Sequence, residues 1–338
     1  MSQHACPVCS TDAPELIETT HVDKLVDSYR KKGIDIEPYF RVERRTTLCR
    51  CPSCDLRFFS PAPAGDEGFY EQLQVQDWYY QEDKPEYLFA KDLVPEHASV
   101  LEVGCGKGAF RAYLPPSVSY TGLEFNDEAI RKARDKGLDV VKQPIEQYAG
   151  QGILHDVVCS FQVLEHVDRP GSFFHACAQA LKPGGTLIIA VPAQDSFLAI
   201  AANSPLNMPP HHLTRWTDLA LSNLAQREGF RKIELWHEPV AHFHQDWHAT
   251  TLALYALSDL GLFKWRLIDD SLGYRLAARL SRPRWIRDHL ASMAAKKRPE
   301  LRAGHTVVMV AQDRLKPAQE LSPVSATSAV ATSSLSRA

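Results

Sequence analysis

Val100-Leu101-Glu102-Val103-Gly104-Cys105-Gly106-Lys107-Gly108-Ala109-Phe110 is the stretch that decides the fold of this chain. An apolar run ending in an acidic residue predicts a buried strand, and the glycines after it predict a tight turn into a helix start. Glycine there lets backbone approach a nucleotide closely, because a Cβ would either meet the ligand or forbid the turn dihedrals. Gly104, Gly106 and Gly108 follow a G-x-G-x-G rhythm, not the G-x-G-x-x-G of dinucleotide binders. A second short strand, Tyr120-Thr121-Gly122-Leu123-Glu124, ends in a carboxylate. It falls about 20 residues after the turn, where a ribose diol would be held.

Outward from this turn, strands are predicted near 98–103, 119–124, 138–142, 154–160, 186–191, 231–238 and 305–312. Their alternation with helical segments calls for a mostly parallel sheet covered by helices on both faces, with ligands outside the carboxyl ends of the strands. Three more segments stand in order after the glycine turn. They are His155-Asp156-Val157-Val158-Cys159-Ser160-Phe161-Gln162, then Val163-Leu164-Glu165-His166-Val167, then Leu181-Lys182-Pro183-Gly184-Gly185 leading into Thr186 to Pro192. Together these motifs resemble the class I S-adenosylmethionine-dependent methyltransferases, from about Tyr79 to Asp313.

The resemblance implies an α/β, Rossmann-like fold: a seven-stranded sheet in the order three, two, one, four, five, seven, six, with the last strand antiparallel. It also implies a set of cofactor contacts. Glu102 would position the turn and water near the amino group of S-adenosylmethionine. Backbone from Gly104 through Cys105 and Gly106 to Gly108 would cup its methionine and ribose, and Glu124 would accept both ribose hydroxyls. Phe125 and Ile145 would flank adenine, Phe161 and Gln162 would line the methyl-transfer side, and Tyr79 or Tyr80 would cover the methionine end. The bland reading of that tyrosine segment is an aromatic helix anchoring the N-terminal module.

The chain has 338 residues, 44% hydrophobic and 23% charged, with a net charge of −3. That supports a sizeable core and gives no electrostatic footprint for nucleic acid. No apolar run reaches the length needed to span a bilayer. The start, Met-Ser-Gln-His-Ala-Cys, lacks a basic stretch followed by an apolar one, so the cytoplasm is the expected location.

Two C-P-x-C knuckles, Cys6 with Cys9 and Cys51 with Cys54, have the spacing of a tetrahedral thiolate site for a structural Zn²⁺. A redox pair or mere structural remnants are the other readings. The segment is similar to the zinc-ribbon-like module at the N-terminus of many bacterial methyltransferases, with Cys49 a bystander on a strand. Asp55 stands where such modules usually carry glycine. The expected layout is residues 1–64 as this module, 65–95 as linker helices and 96–314 as the catalytic domain. Within the last, 240–302 is a helical insertion before the final strand, and 315–338 is a Ser/Ala/Thr/Pro tail too polar to order itself.

The acceptor side is expected in Asn207-Met208-Pro209-Pro210-His211-His212, a proline-fixed loop after the fifth strand whose histidines can exchange protons near neutrality. His211 and His212 are the candidate bases, with His166 next in line; capping a helix or bridging loops is the alternative. His242, His244 and His248 have ligand-like spacing, with a metal, an aromatic lid or an interface all open. The 240–302 insertion offers either a lid or a homodimer surface.

The function expected is methyl transfer to a small-molecule acceptor, a sugar or polysaccharide precursor among them. The alternatives are an inactive cofactor-binding scaffold and an NAD-dependent oxidoreductase, the latter disfavoured by the glycine spacing.

Overall fold

The computed structural model describes residues 5–74 and 83–315. In chain order its strands are β1 (Glu15–His21), β2 (Arg45–Arg50), β3 (Arg57–Ser60), β4 (Ser99–Val103), β5 (Ser119–Leu123), β6 (Asp139–Val141), β7 (His155–Phe161), β8 (Leu181–Pro192), β9 (Thr214–Arg215), β10 (Phe230–His237) and β11 (Thr306–Arg314). The α-helices are α1 (Val22–Arg30), α2 (Glu67–Gln74), α3 (Pro85–Lys91), α4 (Asp127–Asp135), α5 (Ile145–Ala149), α6 (Pro170–Gln179), α7 (Asp218–Arg227), α8 (Gln245–Asp259), α9 (Leu272–Leu280) and α10 (Arg284–Lys297).

Seven strands form the central sheet in the order β10-β11-β8-β7-β4-β5-β6. Its parallel part runs from β8 to β6, and β11 is antiparallel to both β8 and β10. This is the topology the resemblance implied, and the glycine turn sits at the carboxyl end of β4, beside the point where strand order reverses. Successive residues of a strand point to opposite faces. Leu187 and Ile189 therefore enter one buried core while Ile188 and Ala190 enter the other. A sheet covered on both faces needs such unbroken apolar runs.

Two local expectations are modified. The segment after the glycine turn makes only one helical turn, Phe110–Tyr113, before Pro115-Pro116. Proline there removes amide donors and disfavours helix for the residue before it. The Pro183-Gly184 segment is not a turn preceding a strand: β8 begins at Leu181 and carries Gly184 at φ +78°. Its pairing with β7 shifts register between His155 and Val157.

The N-terminal segment builds a second, antiparallel sheet in the order β1-β2-β3-β9. Strand β1 has no clear signature, because Leu16 and Ile17 are adjacent and both exposed. The fourth strand comes from residues 214–215, immediately after the His211-His212 loop: Arg57 pairs with Arg215 and Phe58 with Thr214. Helix α1 buries Val22, Leu25, Val26 and Tyr29, a stripe at helical spacing. From that stripe the Tyr29 hydroxyl donates to the Met208 carbonyl at 2.9 Å. Cys6, Cys51, Cys54 and Leu56 share one core with Leu101, Val158 and Leu187 of the central sheet.

The insertion folds as α8, α9 and α10. Leu252, Ala253 and Ala256 of α8 pack with Leu290, Ala291 and Ala294 of α10 around Phe197, so the helices are tied to the segment after β8. Among the described residues, no helix is long and apolar enough to cross a membrane.

Candidate active site

Strand ends deliver most of the predicted residues to one cavity. Among the described residues it measures about 1410 Å³, above the roughly 300–1,000 Å³ usual for a single small ligand. At one end lie Gly104, Cys105, Gly106, Glu124, Phe125 and Ile145; at the other lie Phe161, Gln162, Glu165, His166, His211 and His212. Tyr79 and Tyr80 lie outside the described residues.

The glycine turn is built on close approaches. Gly104 has φ +75°, and a Cβ there would stand 2.4 Å from Val163 Cγ2. Gly106, at φ +53°, donates its amide to Glu124 Oε2 at 2.8 Å. Glu124 Oε1 accepts from the amides of Phe125 and Asn126 at 2.8 and 2.9 Å. Helix α4 begins beside this carboxylate, capped by Asn126 accepting from Ala129. Three backbone donors thus hold a carboxylate that offers about four lone-pair positions. To accept both hydroxyls of a diol, Glu124 must release one of them. Phe125 is 59% exposed at the rim, whereas Ile145 is buried, so the two present unequal faces to a planar ring.

Three of the expected cofactor residues, Glu102, Gly108 and Cys105, stand differently toward the cavity. Glu102 does not line the cavity. It is buried under the turn, where Tyr120 donates its hydroxyl to Oε2 at 2.5 Å, and burial pushes its carboxyl up to about 8. Gly108 does not line it either: a Cβ there would meet Leu138 Cδ1 at 2.2 Å, so its close approach is to a neighbouring side chain. Cys105 reaches the cavity wall, but its sulfur packs against Gly122, where an added Cβ would lie 2.5 Å away.

The histidines of the cavity rest on the loop between β8 and β9. Leu213 and Thr214 donate their amides to the Glu165 carbonyl at 2.9 and 3.3 Å, locking the His211-His212 pair beside Glu165-His166. Buried Arg215 donates to the Asn207 carbonyl from Nε and from NH2, at 3.1 and 2.6 Å, and lies over the Phe59 ring. The rings of His166 and His211 are 4.5 Å apart, those of His166 and His212 4.9 Å. Burial lowers all three imidazoles, His166 to about 4, and the neighbouring rings lower His211 and His212 further. They are neutral near pH 7. Neither histidine of the pair caps α7, since Thr217 does so, accepting from Ala220 at 3.0 Å. Gln162 sits at φ +59° at the end of β7, a strained position for a side chain of its size, and donates to Glu86 and Thr306, each at 3.2 Å.

His242, His244 and His248 do not converge. His244 packs at 5.2 Å against His305 on the cavity wall, while His248 Nε2 faces the Leu301 carbonyl at 2.9 Å. Phe243, His244 and Trp247 make the insertion part of the cavity wall. Tyr70, from the aromatic segment that also holds Tyr79 and Tyr80, lines it too, and sequence reasoning missed Glu86, Glu238 and His305. None stands in a motif. Glu165 carried a signal, its place directly before His166, but was not weighed alone.

A second cluster lies apart from the cavity. One sulfur each from Cys6, Cys9, Cys51 and Cys54 lies within 4.8 Å of the others. Cys6 and Cys54 approach to 3.6 Å and Cys9 and Cys51 to 3.4 Å. Zn–S bonds of about 2.3 Å in a tetrahedron place sulfurs about 3.8 Å apart, so the four fit that ion. The Cys54 side chain holds the Cys6 thiol down to about 5 and is itself pushed up by the same contact. Cys49 stays outside the group, its thiol raised to about 11 by burial.

Residues 71–235 match the family described as "Methyltransferase domain". Ubiquinone biosynthesis O-methyltransferase of Erwinia tasmaniensis is 37% identical over 111 residues, which are 28% of this chain and 44% of that protein. The enzyme of the same name from Salmonella arizonae is 38% identical over 94 residues, 25% of this chain and 39% of that one. The chain therefore spans less than half the length of these relatives. Among solved structures, a SAM-dependent methyltransferase from Archaeoglobus fulgidus is 16% identical with a TM-score of 0.49, covering 72% of this chain and all of the other. With its sheet order, glycine turn and matched segment, the α/β part of this chain is similar to the class I S-adenosylmethionine-dependent methyltransferases.

Proposed function

We propose that this protein transfers a methyl group from S-adenosylmethionine to a hydroxyl of a small acceptor, a sugar or polysaccharide-precursor unit being the class expected. The observation that carries the reading is the continuity of one cavity from the glycine turn and Glu124 to the histidines of the β8–β9 loop. S-adenosylmethionine supplies a methyl on a positively charged sulfur that is already a good leaving group. Gly104 and Gly106 give the close backbone approach, and Glu124 the diol acceptor. The acceptor then lies against Gln162 and the His166, His211 and His212 rings, where His211 or His212 takes its proton. Alignment of this kind supplies on the order of 7–11 kcal/mol, and a positioned general base adds about 10²–10⁴-fold.

The test is kinetic. His211→Ala or His212→Ala is expected to lower turnover about 10²–10⁴-fold while S-adenosylmethionine affinity, read by calorimetry, stays nearly intact. Joint loss of both would make these histidines structural. NAD(H) is expected to give no thermal shift where S-adenosylmethionine does, which separates methyl transfer from hydride chemistry.

We also assign Zn²⁺ to the four-cysteine cluster, and the cytoplasm to the chain, its eight cysteines all being unbridged as a reducing compartment requires. A homodimer through the insertion is the reading of a bare apolar face. Leu272, Leu276 and Leu280 recur every fourth residue along α9, all exposed, with Trp285 nearby at 76% exposure. Leu276→Glu with Trp285→Glu should convert a dimer to a monomer in light scattering. A wild-type chain already monomeric at micromolar concentration would end this reading.

A further inference from the structure

We propose that His166, His211 and His212 form a second metal site, holding one divalent transition-metal ion inside the cavity with Glu165 beside it. One ring nitrogen of each histidine lies within 4.8 Å of the other two. Each ring is also held from behind. Nδ1 of His166 faces the His211 carbonyl at 2.7 Å, Nδ1 of His211 faces the Leu206 carbonyl at 2.8 Å, and Nδ1 of His212 faces Asn207 Oδ1 at 3.1 Å. An oxygen at Nδ1 fixes the proton there and leaves the lone pair on Nε2. That is how metal-ligating histidines are oriented by the shell around them.

Glu165 is the independent observation. Its side chain is 1% exposed, and among the described residues neither carboxylate oxygen has a hydrogen-bond partner. Oε1 stands 3.6 Å from His166 Nε2 and 3.9 Å from His212 Nε2. With the ring protons on Nδ1, the Nε2 lone pairs of His166 and His212 face the Glu165 carboxyl in a buried place, and a cation there would bind all three groups. Metal–nitrogen bonds of about 2.0–2.1 Å place tetrahedral ligands about 3.3 Å apart, which the rings reach by shifts of about 1 Å.

Imidazole with carboxylate suits Zn²⁺, Mn²⁺, Fe²⁺ or Co²⁺ rather than Ca²⁺, which prefers oxygen alone. All four residues line the cavity, so a coordination position is left toward it. That position would take an oxygen of the acceptor and make it more acidic, so that with the ion bound His211 and His212 serve as ligands and the base role proposed above belongs to the metal-free chain. Only this last statement rests on the methyl-transfer reading; the metal site does not.

The full chain, stripped with a chelator and titrated with Co²⁺, decides the matter. Two equivalents are expected, one with thiolate charge-transfer absorption and one with ligand-field bands alone. Cys51→Ser should remove the first. His212→Gln and Glu165→Gln should remove or weaken the second at least tenfold while the thiolate bands stay. A folded wild-type chain that binds a single equivalent with thiolate bands only overturns the proposal, whatever the variants do. If S-adenosylmethionine fails to bind while both equivalents load, the methyl-transfer reading falls and the metal site stands. Loss of turnover in His212→Ala is expected with or without the metal; metal content separates the two.

Discussion

Cys51→Ser is expected to strip the thiolate-bound zinc from the purified protein and to lower its melting temperature by several degrees. Structural zinc supplies about 10–16 kcal/mol in small zinc modules, and that binding free energy is also folding free energy. Loss of even a fifth of it removes roughly 2–3 kcal/mol, and each kcal/mol shifts the midpoint of a domain of 150–250 residues by about 2–4 °C. The damage should not stay local. Cys51 and Cys54 lie in the same core as Leu101 and Val158, and Asn223 donates to the Cys54 carbonyl at 3.3 Å. Thr217, the cap of α7, donates to Asp55 at 2.6 Å, and β3 pairs with β9 directly after the His211-His212 loop. A chromogenic zinc assay on unsupplemented protein should therefore give one thiolate-bound equivalent for wild type and none for the variant. Methyl transfer should fall with it. A folded, metal-free wild-type chain with four reactive thiols in this module would refute the assignment.

Glu124→Ala is expected to weaken S-adenosylmethionine binding by at least 10²-fold. Two hydrogen bonds from ribose hydroxyls to a carboxylate contribute about 1.5–3 kcal/mol each, and 1.4 kcal/mol is tenfold in affinity. The alanine also strands the amides of Gly106, Phe125 and Asn126 that the carboxylate now accepts. Glu124→Gln keeps the shape and one acceptor oxygen, so it should fall between. Gly106→Val attacks the same place through the backbone, because φ +53° is an outlier for a β-branched residue. Calorimetry with S-adenosylmethionine separates these outcomes. Unchanged affinity in both Glu124→Ala and Gly106→Val would mean that the ligand sits elsewhere.

The cofactor end was the more legible half of the site because its residues are local. Gly104 to Gly106 and Glu124 each follow directly from a strand whose apolar run is visible, and the strand order brings them together. Gly108 and Glu102 lie off the cavity lining, where the same residue types serve packing: Gly108 makes room for Leu138, and Glu102 is paired with Tyr120 under the turn. The rest of the cavity depends on partners far apart in sequence. Glu86 and Gln162 meet at 3.2 Å across 76 residues, and the Glu238 carboxylate accepts the His305 amide at 2.6 Å across 67. No spacing rule connects such pairs.

The sequence by itself determined the α/β sheet, the glycine turn and the two cysteine knuckles. Each is written in a short-range pattern: apolar runs for strands buried on both faces, glycines where positive φ or a close approach is needed, and thiols two residues apart. Only the tertiary structure decided that the His loop supplies β9 to the N-terminal sheet, that the insertion walls the cavity, and that His166 meets His211 and His212 beside a buried Glu165. Those contacts join segments 45 or more residues apart, and side-chain packing, which has no period along the chain, sets them.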